Sequence, residues 1–221
     1  MKLRSIAFLG LSLATSICLA ADKDVEAMLK TLRESYKKVK SARFEVQAVL
    51  PEAGGDDNPI NSTVQYRAPL SFRIVSKAKS MGPSEVLLIS DGKQLYSKTP
   101  DGKTTKKALN LDEPGAFLNL ESLCFWDYKR QLSTDTGANM HDSQLRLLKR
   151  ETWKDRDFMV LEEKAPKSKV FVRYYIDPKT KLIMRTTVYD LEDTATIRGD
   201  YRITKVDQAA DIPANATQIP G

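Results

Sequence analysis

From residue 42 to residue 206 the apolar residues recur at every second position in short runs broken by turn residues, a pattern that only β-sheet satisfies. In the first run Phe44, Val46, Ala48 and Leu50 alternate with Arg43, Glu45 and Gln47, so one side is apolar and the other wet. Similar runs follow at 62–67, 71–77, 85–90 and 93–99, and again at 143–153, 157–164, 169–176, 182–191 and 196–206. Asp91-Gly92, Pro100-Asp101-Gly102, Asp155 to Asp157 and Asp177-Pro178-Lys179-Thr180 mark tight turns between them. Residues 51–61, rich in Pro, Gly, Asp and Asn, and the polar stretch 133–142 read as loops.

Ahead of the strands lies one strong helical pattern over residues 24–40. Val25, Met28, Leu29, Leu32, Tyr36 and Val39 recur at steps of three and four, while Lys30, Arg33, Glu34, Lys37 and Lys38 fill the other side. About ten short strands with tight connections pair sequentially and antiparallel, and a sheet of that size curls under its own twist. One face needs a cover, and residues 24–40 and 112–128 are the candidates, the latter crowded with Phe117, Leu118, Leu120, Leu123, Phe125 and Trp126. The expected fold is mainly β with α: a strongly curved antiparallel sheet, or half-open barrel, with an N-terminal helix and a helical lid. Such a sheet can enclose an apolar cavity.

The N-terminus adds a compartment. Lys2 and Arg4 precede an uncharged apolar run from Ile6 to Leu19, and Cys18-Leu19-Ala20 supplies small residues for a cut before Ala21. The run is shorter than the roughly 20 residues that span a bilayer. Residues 1–20 are thus expected to be a cleaved export signal and 21–221 a single domain. Cys18 offers a rival lipidated start, which Ile17 fits badly.

Net charge is +6, falling to +4 without Lys2 and Arg4. The lysines are spread along the chain with no interleaved stacking aromatics, which speaks against nucleic acid as a partner. Cys124 is the single cysteine of the mature domain, so no internal disulfide can form, and its apolar neighbours suggest an inert thiol. His141 is the one histidine, beside Asp142 in a polar loop, with no second ligand nearby for a metal. Glu162 and Glu163 are adjacent on a strand and so point to opposite faces, which rules out a cooperating carboxylate pair. No nucleophile elbow, phosphate loop or His-Glu-x-x-His is present. A catalytic site, a cofactor and a metal are not expected.

Two stretches carry a resemblance: Tyr66-Arg67-Ala68-Pro69-Leu70-Ser71-Phe72-Arg73-Ile74, and Leu88-Ile89-Ser90-Asp91-Gly92-Lys93-Gln94-Leu95-Tyr96. With Tyr174 to Leu182 and Ile212-Pro213, they resemble the LolA/LolB-like family of periplasmic carriers and receptors for outer-membrane lipoproteins. The resemblance spans most of residues 24–220. It implies an incomplete barrel with a helical lid over a cavity for lipoprotein acyl chains, and it gives Arg67 the place of an arginine that hydrogen-bonds the lid. Ala68 departs from the pattern by separating that arginine from Pro69.

On this basis the expected function is a monomeric periplasmic carrier of acyl chains or another lipid, working with inner- and outer-membrane partner proteins. Its expected lining is Phe44, Val46, Phe72, Ile74, Leu87 and Ile89, with Phe117 and Trp126 at the cover. The alternative is an envelope sensor or protein-interaction module of the same fold, its concave face packed shut.

Overall fold

The structure is a computed structural model, described here for residues 9–68, 70–109, 144–164 and 168–220. Among these residues the one α-helix, α1, runs Leu9–Lys38. Twelve strands follow among the described residues: β1 Ser41–Val49, β2 Ile60–Arg67, β3 Ser71–Lys77, β4 Val86–Asp91, β5 Gln94–Lys98, β6 Thr104–Ala108, β7 Gln144–Leu147, β8 Glu151–Trp153, β9 Arg156–Lys164, β10 Val170–Ile176, β11 Ile183–Asp190 and β12 Ile197–Asp207.

They form one open antiparallel sheet in the order β6-β5-β4-β3-β2-β1-β12-β11-β10-β9-β7, with β8 on a further stretch of β9. The sheet is not closed, because β6 and β7 end it on opposite sides. This is the expected half-barrel. The sequence expectation missed β6, whose five residues are all exposed and show no apolar alternation. It also merged β7 and β8, which pair with successive parts of β9. The sheet is a double meander hinged where first and last strands meet, β1 against β12. Register shifts at Glu45/Val46, Tyr175/Ile176 and Val188/Tyr189 are bulges, which bend strands and add twist.

Two faces follow from the register. Tyr66, Phe72 and Ser90 lie opposite one another across β2–β4, as do Val64, Ile74 and Leu88. Through Phe44↔Val64 this face continues onto β1. Leu32 and Tyr36 of α1, with Val39 just after it, are buried in one cluster with Phe44, Val46, Tyr66, Phe72 and Ile74, so the helix covers this concave face. Tyr36 also accepts a hydrogen bond at 3.0 Å from the backbone N–H of Ile183, tying α1 to β11. The helix is continuous through the expected cut at Ala20/Ala21, and its first described buried side chain is Val25.

The chain after β12 turns to the outer face. Ser41 Oγ donates to the Ala210 carbonyl at 2.8 Å, and a 3-10 turn at Ala214–Thr217 packs on β3 and β4 with Thr217 buried. Among the described residues no helix is long and apolar enough to cross a membrane.

Candidate functional site

Burial divides the concave face into a filled part and an open part. Phe44, Phe72 and Ile74 are 0 % exposed and Val46 is 2 %, so all four are packed. These four expected lining residues are brought together, but around α1 rather than around a void. Leu87 and Ile89 are not brought to them. The register places Leu87 opposite Val75 and Ile89 opposite Arg73, which is the outer face, with Leu88 taking the concave position. The correction has a simple cause: β4 reads Val-Leu-Leu-Ile and is buried on both sides, so alternation carries no phase there. The tail turn covers β4 from outside. Phe117 and Trp126 lie outside the described residues, as do His141, Cys124 and the expected lid at 112–128.

Arg67 also points to the outer face. It shares two clefts of about 500 and 590 Å³ with the C-terminal tail: one lined by Lys40, Ser41 and Asp211 to Ala214, the other by Ser71, Asp91 and Ala214 to Gln218. Its guanidinium therefore stands beside the tail, on the side away from α1.

The open part lies over β7 to β11. One transverse row runs Ala48, Tyr201, Thr186, Tyr174, Leu161, Leu147, and the next runs Gly199, Val188, Val172, Glu163, Leu145. Tyr201, Thr186, Tyr174 and Leu161 are buried, whereas Val188, Val172, Leu145 and Leu147 are only half-buried. Met28 and Leu29 of α1 and Met159 of β9 are half-buried too and border the same cluster, with α1 lying against β7. The result is an apolar strip, partly open to solvent, between the exposed half of α1 and the sheet. One end of it is closed over Gly199, where a Cβ would sit 3.0 Å from the Tyr201 ring and 3.3 Å from Leu50.

Polar groups are few and localised on this strip. The Tyr174 hydroxyl donates to Glu163 at 2.5 Å. Thr186 Oγ1 is buried without a hydrogen-bond partner, a condition that is uncommon in proteins. Sequence reasoning missed the strip because Val172, Val188 and Leu145 look like ordinary strand residues. The missing signal is tertiary: only the path of α1 tells which concave residues it leaves uncovered.

The outer side of the same strands is dry and saturated. Asp200, 3 % exposed, accepts from Arg185 at 2.7 and 2.8 Å, from Arg202 at 2.9 Å and from Thr187 at 3.4 Å. The Arg185 guanidinium lies 5.0 Å from the rings of both Trp153 and Tyr175. Although burial alone would lower the Arg185 pKa, the hydrogen bonds and charge of Asp200 raise it. Arg173 repeats the motif beside the stacked rings of Phe171 and Tyr189, paired with Glu162. As expected, the two neighbouring glutamates face opposite ways: Glu162 meets Arg146 and Arg173 outside, and Glu163 meets Tyr174 inside. No group of three His, Cys, Asp or Glu among the described residues could hold a metal ion.

No family model matches the sequence, and no curated protein does either. Solved structures do. MucB is 12 % identical with a TM-score of 0.53, over 90 % of this chain and 63 % of that one. MucB in the Pseudomonas aeruginosa MucA/MucB complex gives 13 %, 0.53, 89 % and 61 %. An uncharacterised conserved protein from Thermus thermophilus gives 10 % and 0.57, over 89 % of this chain and 94 % of that one. This chain thus spans about three fifths of the length of MucB. At such identities the likeness is one of fold: an open, curved antiparallel sheet with a helix across its concave face.

Proposed function

We propose that this is an exported envelope protein, cleaved between Ala20 and Ala21, that binds an acyl chain of a lipoprotein or another lipid on its concave face and carries it toward the outer membrane. The observation behind it is the half-buried apolar strip of Met28, Leu29, Leu145, Leu147, Val172 and Val188, beside the filled core. Each CH₂ of an acyl chain moved from water onto such a surface gains about 0.8 kcal/mol, which is enough to hold a lipid without covalent chemistry. Glu163, Tyr174 and Thr186 would face its polar end. Native mass spectrometry of the protein from its own envelope, with uptake of a fluorescent fatty acid, tests this. Val172→Glu should abolish uptake at unchanged fold, whereas Phe72→Leu, in the filled part, should leave it near wild type. No lipid and no uptake would overturn it.

A second reading has its own support. The face beneath Leu32 and Tyr36 is packed solid, and a protein of this fold, MucB, has been crystallised in complex with MucA. On that reading the chain is an envelope interaction module, and capture from envelope extracts returns a protein in place of a lipid.

A further inference from the structure

Along β9 to β12 arginines match Glu162 (Arg146 and Arg173), Asp190 (Arg198) and Asp200 (Arg185 and Arg202). Glu163 has no such match. It stands half-buried in the concave row Val188, Val172, Glu163, Leu145, and no ion pair joins it to a cation among the described residues. It accepts a hydrogen bond from the Tyr174 hydroxyl at 2.5 Å. Tyrosine is a neutral donor, so this bond orients the carboxylate without cancelling its charge.

Thr186 adds a complementary group. It lies directly opposite Tyr174, on β11, is 4 % exposed, and its hydroxyl has no partner. Directly opposed residues stand about 5 Å apart at Cβ, so this hydroxyl neighbours the Tyr174–Glu163 pair. It can donate to any oxygen acceptor that reaches it. Two further charged groups border the strip. Asp190, two residues past Val188 on β11, is matched by Arg198 at 2.6 Å. Arg33 follows Leu29 by one turn on α1, half-buried with its Nε unpartnered, and no ion pair joins it to Glu163.

We infer that the concave strip prefers acyl chains with an uncharged ester or amide head over free fatty acids and other anions, and that Glu163 sets this preference. The inference rests on the reading of the concave face as an acyl-chain site. An ester or amide carbonyl accepts from Thr186 and brings no charge. A carboxylate head at the same place meets the unmatched carboxylate of Glu163. The repulsion is softened by solvent at a half-buried position and amounts to about tenfold in affinity. A free acid still enters, held by its chain.

The test is a binding titration, at neutral pH, of the protein exported with its own leader. The probes are a fatty acid with a fluorescent label at its tail, the methyl ester of that acid and its primary amide. Ester and amide should bind about tenfold more tightly than the acid. E163Q keeps the shape and the acceptor for Tyr174; it should tighten the acid by a similar factor and leave the ester almost unchanged, so that the preference disappears. T186V should weaken ester and amide by about fivefold, the worth of one ordinary hydrogen bond. E192Q, in an exposed turn, should alter none of the three. Equal binding of acid and ester by the wild type, or an undiminished preference in E163Q, would overturn the proposal and leave the carrier reading standing. An acid that binds as tightly as the ester and is lost in R33Q would also overturn it, assigning the head to Arg33. Failure of every probe to bind would overturn the carrier reading and the proposal with it.

Discussion

Asp200 holds more of the outer layer together than any neighbouring residue. It satisfies two guanidiniums and a threonine hydroxyl while almost wholly buried. Removing it leaves the largely buried Arg185 without a carboxylate and Arg202 with only the exposed Asp56 at 3.7 Å, a change that costs about 3–5 kcal/mol. Asp200→Ala should therefore lower the urea midpoint sharply, and Asp200→Asn nearly as much, since the amide keeps the shape and loses the charge. A drop under about 1 kcal/mol for either, the range of a solvent-screened pair, would mean water reaches Arg185 and Arg202. This cluster was invisible in sequence. Asp200, Arg185 and Trp153 are ordinary strand residues there, and no spacing rule connects them, because cross-strand neighbours depend on register.

At the scale of elements, α1 decides which part of the sheet is core. Leu32, Tyr36 and Val39 occupy the concave face of β1 to β3, and the bond from Ile183 N–H to the Tyr36 hydroxyl locks the helix over β11. Tyr36→Phe keeps the ring and strands a buried N–H, at a cost of about 1–3 kcal/mol. Amide exchange should locate the loss at Ile183, and unchanged protection there would refute the role. The helical stripe was legible in sequence, since Val25, Leu32, Tyr36 and Val39 are all buried as their spacing predicts. The landing place of that stripe was not. For the same reason Phe44, Val46, Phe72 and Ile74 were recognisable as concave residues but not as core rather than lining.

Across the whole molecule, pH separates the buried tyrosines from the carboxylates. Burial raises the hydroxyl pKa of Tyr66 and Tyr175 well above the ordinary 10.0. A raised pKa means that the folded state holds the proton more tightly, so this stability is intact below about pH 10 and is lost as pH climbs toward the folded value. At the acid end, Asp91 is held down by the N–H groups of Gln94 and Lys93, and Asp190 by Arg198. Their contribution is present above the ordinary carboxylate range and is lost as pH falls through the lowered values. Stability should thus be flat through neutrality and fall at both extremes. Ultraviolet absorbance of the phenolate should show a class of tyrosines that ionises only with unfolding, and Tyr66→Phe should shrink it. Full tyrosine ionisation before any loss of fold would contradict the burial.

Sequence alone determined the alternation, the amphipathic helix and the tight turns, and from these the open antiparallel half-barrel, since periodicity and turn chemistry are local. It also settled that Glu162 and Glu163 part company, because adjacent strand residues must. What only the tertiary structure decided is phase and coverage. Leu87 and Ile89 went to the outer face because a strand buried on both sides has no readable phase. The half-buried apolar strip at Leu145, Val172 and Val188 is set by where α1 lands, because the helix fills the concave face over β1 to β3 and leaves these side chains less covered.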